Sequence, residues 1–136
     1  AGYQSRGDDF AVLHVYTEED WTVLEVGDMS KVEVTEDVLN VAAPMGLGLQ
    51  VITGHISLIS LDRPVKGQGL NWQFAMLANL ASGPGASGST IISVKQEKII
   101  GFVVGNISGN PTTVVLPVSR FSQFVQAART GRYRWF

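Results

Sequence analysis

Short apolar runs recur along the whole chain, at positions 10–15, 21–26, 38–43, 49–60, 73–79, 89–94, 98–104 and 112–116. Most are rich in Val and Ile, and Gly, Pro, Asp and Asn punctuate them. Runs of this length are too short for helices and predict successive β-strands of a barrel or sandwich. Lys31-Val32-Glu33-Val34-Thr35 alternates polar and apolar residues, which predicts a half-exposed strand. The runs after Asp9 and Asp20 look alike, but they lie too close together for a structural repeat and are read as consecutive strands.

The period changes once. Phe121, Phe124, Val125 and Ala128 fall at i, i+3, i+4 and i+7, with Ser119 placed as N-cap just after Pro117 and Gly131 suited to the C′ position. This predicts a C-terminal helix with one apolar stripe, packed on the strands. Beyond it, Tyr133, Arg134, Trp135 and Phe136 form an aromatic tail, read as a docking segment or the start of a linker. Residues 62–71, with Arg63, Pro64, Lys66, Gly67 and Gly69, form the most loop-like internal segment.

Composition narrows the function classes. At 136 residues the chain fits one compact domain, and 45% hydrophobic residues can bury a sizeable core. Charged residues are 16%, against a usual value of about 25%. The net charge of −2 comes from scattered residues and leaves no basic footprint for nucleic acid. Arg129, Arg132 and Arg134 cluster where positive charge complements a helix end. The absence of cysteine excludes disulfides, a Cys nucleophile and Cys-ligated zinc. The two histidines stand apart and form no recognisable metal motif, so no metal or cofactor is expected. No apolar run reaches transmembrane length and no signal peptide is visible, so no membrane contact is expected.

The chemistry concentrates in Gly83-Pro84-Gly85-Ala86-Ser87-Gly88-Ser89, between two apolar runs. A loop so rich in glycine can turn tightly and aim consecutive N–H groups at one point, with a serine beside them. Acyl transfer needs that arrangement, because charge developing on the substrate oxygen must meet pre-aimed donors. Taken alone, the same residues also suit a plain turn between strands.

The Gly85-Ala86-Ser87-Gly88 pattern resembles the nucleophile loop of chymotrypsin-fold, trypsin-like serine proteases. Other blocks, in order, resemble the HtrA/DegP type. Asp9-Phe10-Ala11-Val12-Leu13-His14-Val15 resembles the strand opened by the triad Asp, and Trp21 to Asp28 the next strand and turn. Val41-Ala42-Ala43-Pro44-Met45-Gly46-Leu47-Gly48 resembles the Gly-Asn-Pro-Phe-Gly-Leu-Gly stretch, and Val51 to Ser57 the strand after it. Ala86 and Ser89 depart from the family's Asn and Gly, and Ala42-Ala43 from its Gly-Asn, as in a distant, virus- or phage-encoded relative. The resemblance implies an all-β, chymotrypsin-like double β-barrel with a C-terminal α-helix.

It also implies roles. Ser87 is the expected nucleophile, Gly85 and Ser87 the oxyanion-hole donors, and Asp9 the acid that orients the base, with Asp20 as runner-up. The strand at Val103, Val104 and Gly105 is expected to pair with an extended peptide substrate. The place of the basic-residue-binding acid, six before Ser87, is held by Ala81, and no acid lies between Leu80 and Ala86. A small or apolar P1 side chain is therefore expected. Residues 62–71 correspond to a mobile regulatory loop of the family, or are a plain connection.

Histidine is where the pattern breaks. The family's triad His precedes the Asp, and residues 1–8 contain none. His14 is an odd number of positions after Asp9, hence on the opposite face of a strand, and His55 falls where the family has a structural strand. The chain is thus expected to be residues 1–136 of a protease domain without its first strands, its first barrel incomplete. A complementary N-terminal segment would be its partner and would bring the base. The expected function is serine endopeptidase, acting on peptide or protein substrates. The alternative is a catalytically inactive, protease-like barrel that binds peptides or serves as a scaffold. Oligomers are compatible with either. A bacterial member would work in the periplasm or cell envelope, a viral one in host cytoplasm.

Overall fold

The computed structural model describes residues 2–4, 11–62, 74–107 and 109–130. Asp9, Phe10, most of the 62–71 loop, Gly131 and the aromatic tail lie outside the described residues. Two short strands, β1 (Gly2–Gln4) and β2 (Ala11–Leu13), pair antiparallel. Six more close into one antiparallel barrel: β3 (Asp37–Ala42), β4 (Gln50–Leu58), β5 (Met76–Leu80), β6 (Thr90–Ser93), β7 (Lys98–Asn106) and β8 (Thr112–Pro117), in the spatial order β3-β4-β5-β8-β7-β6. Helix α1 (Val118–Arg129) follows β8 directly.

Alternation dictates the core. In β3 the side chains of Val38, Asn40 and Ala42 point inward, and in β5 those of Met76, Ala78 and Leu80. With Ile56, Ile91, Ile100, Val103 and Val115 the apolar ones among them form one buried cluster. Ile100 is fully buried there. Its replacement by alanine is expected to lower stability by about 3 kcal/mol, read from the denaturant midpoint. Closure needs two backbones to pass without side chains. A Cβ on Gly54 would lie 2.2 Å from the Asn79 carbonyl oxygen, and one on Gly101 2.5 Å from Val115 Cγ1.

Three elements depart from the pattern-based expectation. Residues 21–26 form no strand apart from a single bridge of Val26 to Ile99. Trp21, Val23 and Leu24 are exposed, since no strand among the described residues pairs with them. Residues 31–35 are not a strand either. Asp28 accepts the Ser30 N–H at 2.9 Å and caps a short 3₁₀ turn, Met29–Lys31. The buried Glu36 carboxylate accepts the Glu33 N–H at 3.0 Å and, on its other oxygen, the Ser93 hydroxyl. Local side-chain acceptors there outcompete a strand ladder. The 73–79 run becomes a strand only at Met76, since Phe74 is held at a left-handed φ of 66°.

The helix is where the stripe predicted it. Phe121 packs on Phe102 of β7, ring centroids 5.2 Å apart, and Phe124 is buried. It begins at Val118, so Ser119 lies inside its first turn instead of capping it. At the other end the Thr130 hydroxyl donates to the carbonyls of Gln126 and Ala127.

Candidate active site

The glycine-rich loop joins β5 to β6 and is anchored at almost every residue. The Ala86 N–H closes a turn on the Gly83 carbonyl at 3.0 Å, and the Ala86 side chain is fully buried. The Gly88 N–H donates to Val103 O at 2.7 Å, and the Val103 N–H to Ser89 O at 2.9 Å. The loop is thereby sewn to β7. Two glycines make the path feasible: Gly85 and Gly88 sit at φ of 94° and 84°, where a side chain is strained. A Cβ on Gly85 would also come within 3.2 Å of Ala43 O and Met45 N.

These anchors orient two peptide groups. The Pro84 carbonyl accepts the Met45 N–H at 2.7 Å. The Ala86 carbonyl accepts the Ser89 N–H at 3.0 Å and the Ser89 hydroxyl. No peptide bond in the described chain is cis. In a trans peptide the N–H points away from the preceding C=O. The amides of Gly85 and Ser87 therefore face away from the anchoring segments, and no backbone acceptor among the described residues takes either one.

Ser87 is exposed at the mouth of a concavity of about 280 Å³, lined also by Gly83, Pro84 and the strand from Val103 to Asn106. Ser87 and the three strand residues singled out in the sequence, Val103, Val104 and Gly105, are thus brought together. On the β6 side the β7 ladder ends at Phe102, opposite Thr90. Val103 bonds the loop, and the backbone beyond it has no strand on that side. Ala81 is exposed and is not among the lining residues. Asn106, at the edge of the lining, belongs to a polar brace that the sequence did not announce. Asn106 Nδ2 donates to Ser82 O at 3.0 Å, the Ser82 hydroxyl donates to Asn106 Oδ1 at 2.8 Å, and Ser82 Oγ lies 2.8 Å from the buried Thr113 Oγ1.

The histidines stand elsewhere. His14 is exposed and its ring packs on Tyr16 at 4.4 Å. His55, exposed on β4, lies opposite Asp37 and Asn79. Among the described residues the Ser87 hydroxyl has no hydrogen-bond partner. Asp20 is exposed in the strandless segment. Ala11 of β2, two positions after Asp9, shares an apolar concavity of about 340 Å³ with Gly88, Phe102 and Phe121.

A second concavity, at the far end of the barrel, is lined by Lys31, Lys95 and Lys98. Each lysine is matched by a carboxylate: Asp28 at 3.7 Å, Glu33 at 2.8 Å and Glu25 at 2.7 Å. The hydrogen bond from Lys98 holds Glu25 below the usual carboxylate range, and Lys95 does the same to Glu33. The charges cancel locally and leave no anion site.

No protein-family model matches the chain. Solved structures do. The HtrA-type protease AlgW with a decapeptide superposes with a TM-score of 0.68 at 19% identity, over 79% of this chain and 33% of that one. A serine-to-alanine AlgW variant with a tripeptide gives 0.70 at 19%, over 82% and 37%. Rv3671c from M. tuberculosis H37Rv, a serine-to-alanine mutant in its inactive form, gives 0.64 at 15%, over 82% and 56%. The chain thus spans between a third and rather more than half of the proteins it matches. A closed six-stranded antiparallel barrel, a C-terminal helix and these superpositions together identify the fold as the chymotrypsin-like one of HtrA-type proteases.

Proposed function

We propose that this chain carries the nucleophile side of a serine endopeptidase site. The observation that supports it most is the conjunction at Ser87. An exposed Ser87 hydroxyl and a strand edge at Val104–Gly105 border one concavity, and the loop that carries Ser87 has two unclaimed amides, at Gly85 and Ser87. In this reading Ser87 Oγ attacks the scissile carbonyl, and the Gly85 and Ser87 N–H groups receive the charge that develops on its oxygen. A histidine outside these 136 residues takes the Ser87 proton and later protonates the leaving amine. Asp9 holds that histidine in the right tautomer. The position of Ala11 beside Gly88 supports Asp9 over Asp20. The substrate is an extended peptide added along the β7 edge. AlgW, with its bound peptides, supports that mode.

The exposed apolar surface supports a complementary partner. Leu13, Val15, Tyr16, Trp21, Val23 and Leu24 are all more than half exposed, as are Met45, Leu47, Leu49 and Val51 at every second position. Such patches mark interfaces. The partner proposed is an N-terminal segment of the same protease, which would cover these residues and bring the histidine. Residues 1–136 alone are expected to associate on size-exclusion chromatography and to leave peptides uncleaved. A monodisperse, peptide-cleaving monomer would defeat the proposal and return His14 or His55 as base.

The lining of the concavity supports a small or apolar P1 residue. Asn106, a lining residue, is held to Ser82 by two hydrogen bonds, and no acid is among the described residues lining the concavity to match a buried cation. In the active protease, Asn106→Ala is expected to raise kcat/KM for a P1 leucine relative to alanine by about tenfold. Unchanged ratios across a P1 peptide series would refute the brace as a size filter.

A second reading is a peptide-binding barrel without catalysis. The unpartnered Ser87 hydroxyl favours it. The two readings part at fluorophosphonate labelling once the proposed N-terminal segment is present, since a binding module stays unlabelled.

A further inference from the structure

Asn40 is an anomaly of the core. It is fully buried on β3, between the inward-facing Val38 and Ala42, and its Oδ1 has no hydrogen-bond partner among the described residues. An unpaired buried carbonyl oxygen is destabilising, so barrel stability does not explain an asparagine there. Its nitrogen does something specific. Nδ2 donates to Thr90 O at 2.9 Å and to Ser89 Oγ at 2.8 Å. The Thr90 carbonyl can only accept, which fixes the nitrogen end of the amide towards β6. Ser89 Oγ then accepts a hydrogen bond from Asn40 Nδ2, and its own hydroxyl donates to the Ala86 carbonyl. That carbonyl is doubly held, by the Ser89 hydroxyl and the Ser89 N–H.

We propose that Asn40 and Ser89 are positioning residues that fix the Ala86–Ser87 peptide and thereby aim the Ser87 N–H into the cleft. The inference rests on the reading of Ser87 as nucleophile and oxyanion donor. The trans peptide plane transmits the effect, since holding Ala86 C=O inward leaves the Ser87 N–H outward. Without the hydroxyl, only the Ser89 N–H restrains that plane. Ser89 is also one of the residues that departs from the HtrA pattern, where glycine has no hydroxyl to offer. This chain supplies from a side chain, backed by a buried amide, a restraint that a glycine cannot supply.

The test uses three variants of the 136-residue protein: Ser89→Ala, Ser89→Thr and Asn40→Leu. The first readout is the ¹⁵N resonance of Ser87 and the ¹³C′ resonance of Ala86. Both are expected to move in Ser89→Ala and Asn40→Leu and to return towards wild type in Ser89→Thr, which restores the hydroxyl. The second is the rate of Ser87 capture by a fluorophosphonate in the protein completed with its N-terminal segment. Ser89→Ala is expected to slow it about tenfold, with restoration by Ser89→Thr. A merely structural role would alter the denaturation midpoint and leave this pattern of loss and rescue unmade. Resonances at positions 86 and 87 that match wild type in Ser89→Ala would overturn the inference, as would wild-type capture rates. Wild-type protein that is never captured, with resonances that move and are rescued, counts against Ser87 as nucleophile and for the positioning pair.

Discussion

Replacing Ser87 by alanine is expected to abolish fluorophosphonate capture and to lower peptide cleavage on the order of 10⁶-fold in the protein that carries the base. The size of the effect follows from the proposed role. Among the described residues lining the concavity, Ser87 carries the one hydroxyl, so none of them can substitute. The same change should be almost silent in stability. Ser87 is exposed, and among the described residues its hydroxyl bonds nothing, so a shift within about 0.5 kcal/mol is expected. Intact-mass analysis after labelling and a denaturant titration read the two halves separately. Undiminished labelling of Ser87→Ala would place the nucleophile elsewhere. Loss of labelling together with loss of folding would show that the serine is structural.

The largest stability effect is expected at Gly54. Its α-carbon faces Leu80 across the β4–β5 ladder, and an added Cβ would meet Asn79 O at 2.2 Å and Leu80 Cδ2 at 2.4 Å. A clash with backbone cannot be relieved by a rotamer change. β4 must move away from β5, which breaks the barrel seam between them. Gly54→Ala is therefore expected to cost about 3 kcal/mol or more, and Gly54→Val to prevent barrel closure. Urea titration followed by tryptophan fluorescence or far-UV circular dichroism measures it. A Gly54→Ala protein with a wild-type midpoint would mean that β4 and β5 do not pair in the observed register.

The sequence and the structure agree where local chemistry and tertiary packing point the same way. The Val- and Ile-rich runs became strands because each found a neighbour and an interior. The run at 21–26 has the same composition, yet among the described residues it meets a barrel strand only at Val26, and an apolar pattern cannot reveal a missing neighbour. The alternation at 31–35 was overruled by two carboxylates, Asp28 and Glu36, that bind nearby amides and bend the chain. At the site, the left-handed glycines at 85 and 88 are what the loop's composition suggests. Its meeting with Val103–Gly105 was legible only through family resemblance. Ser82 and Asn106 lie 24 positions apart, and their pairing leaves no local trace. Asn40 did leave one, a polar residue at an inward position of an alternating strand.

The barrel closes where β3 meets β6, and the bond between Asn40 and Ser89 joins positions 49 apart. Pairings so distant in the chain form slowly, and barrels of this kind fold in milliseconds to seconds. The glycine-rich loop draws part of its restraint from β3 and from the turn at Met45, so its full set of bonds is incomplete while the seam is open. A half-folded chain carries the serine on a slack loop with its amides unaimed. The full set of restraints on the Ser87 loop is therefore expected only once that seam has closed.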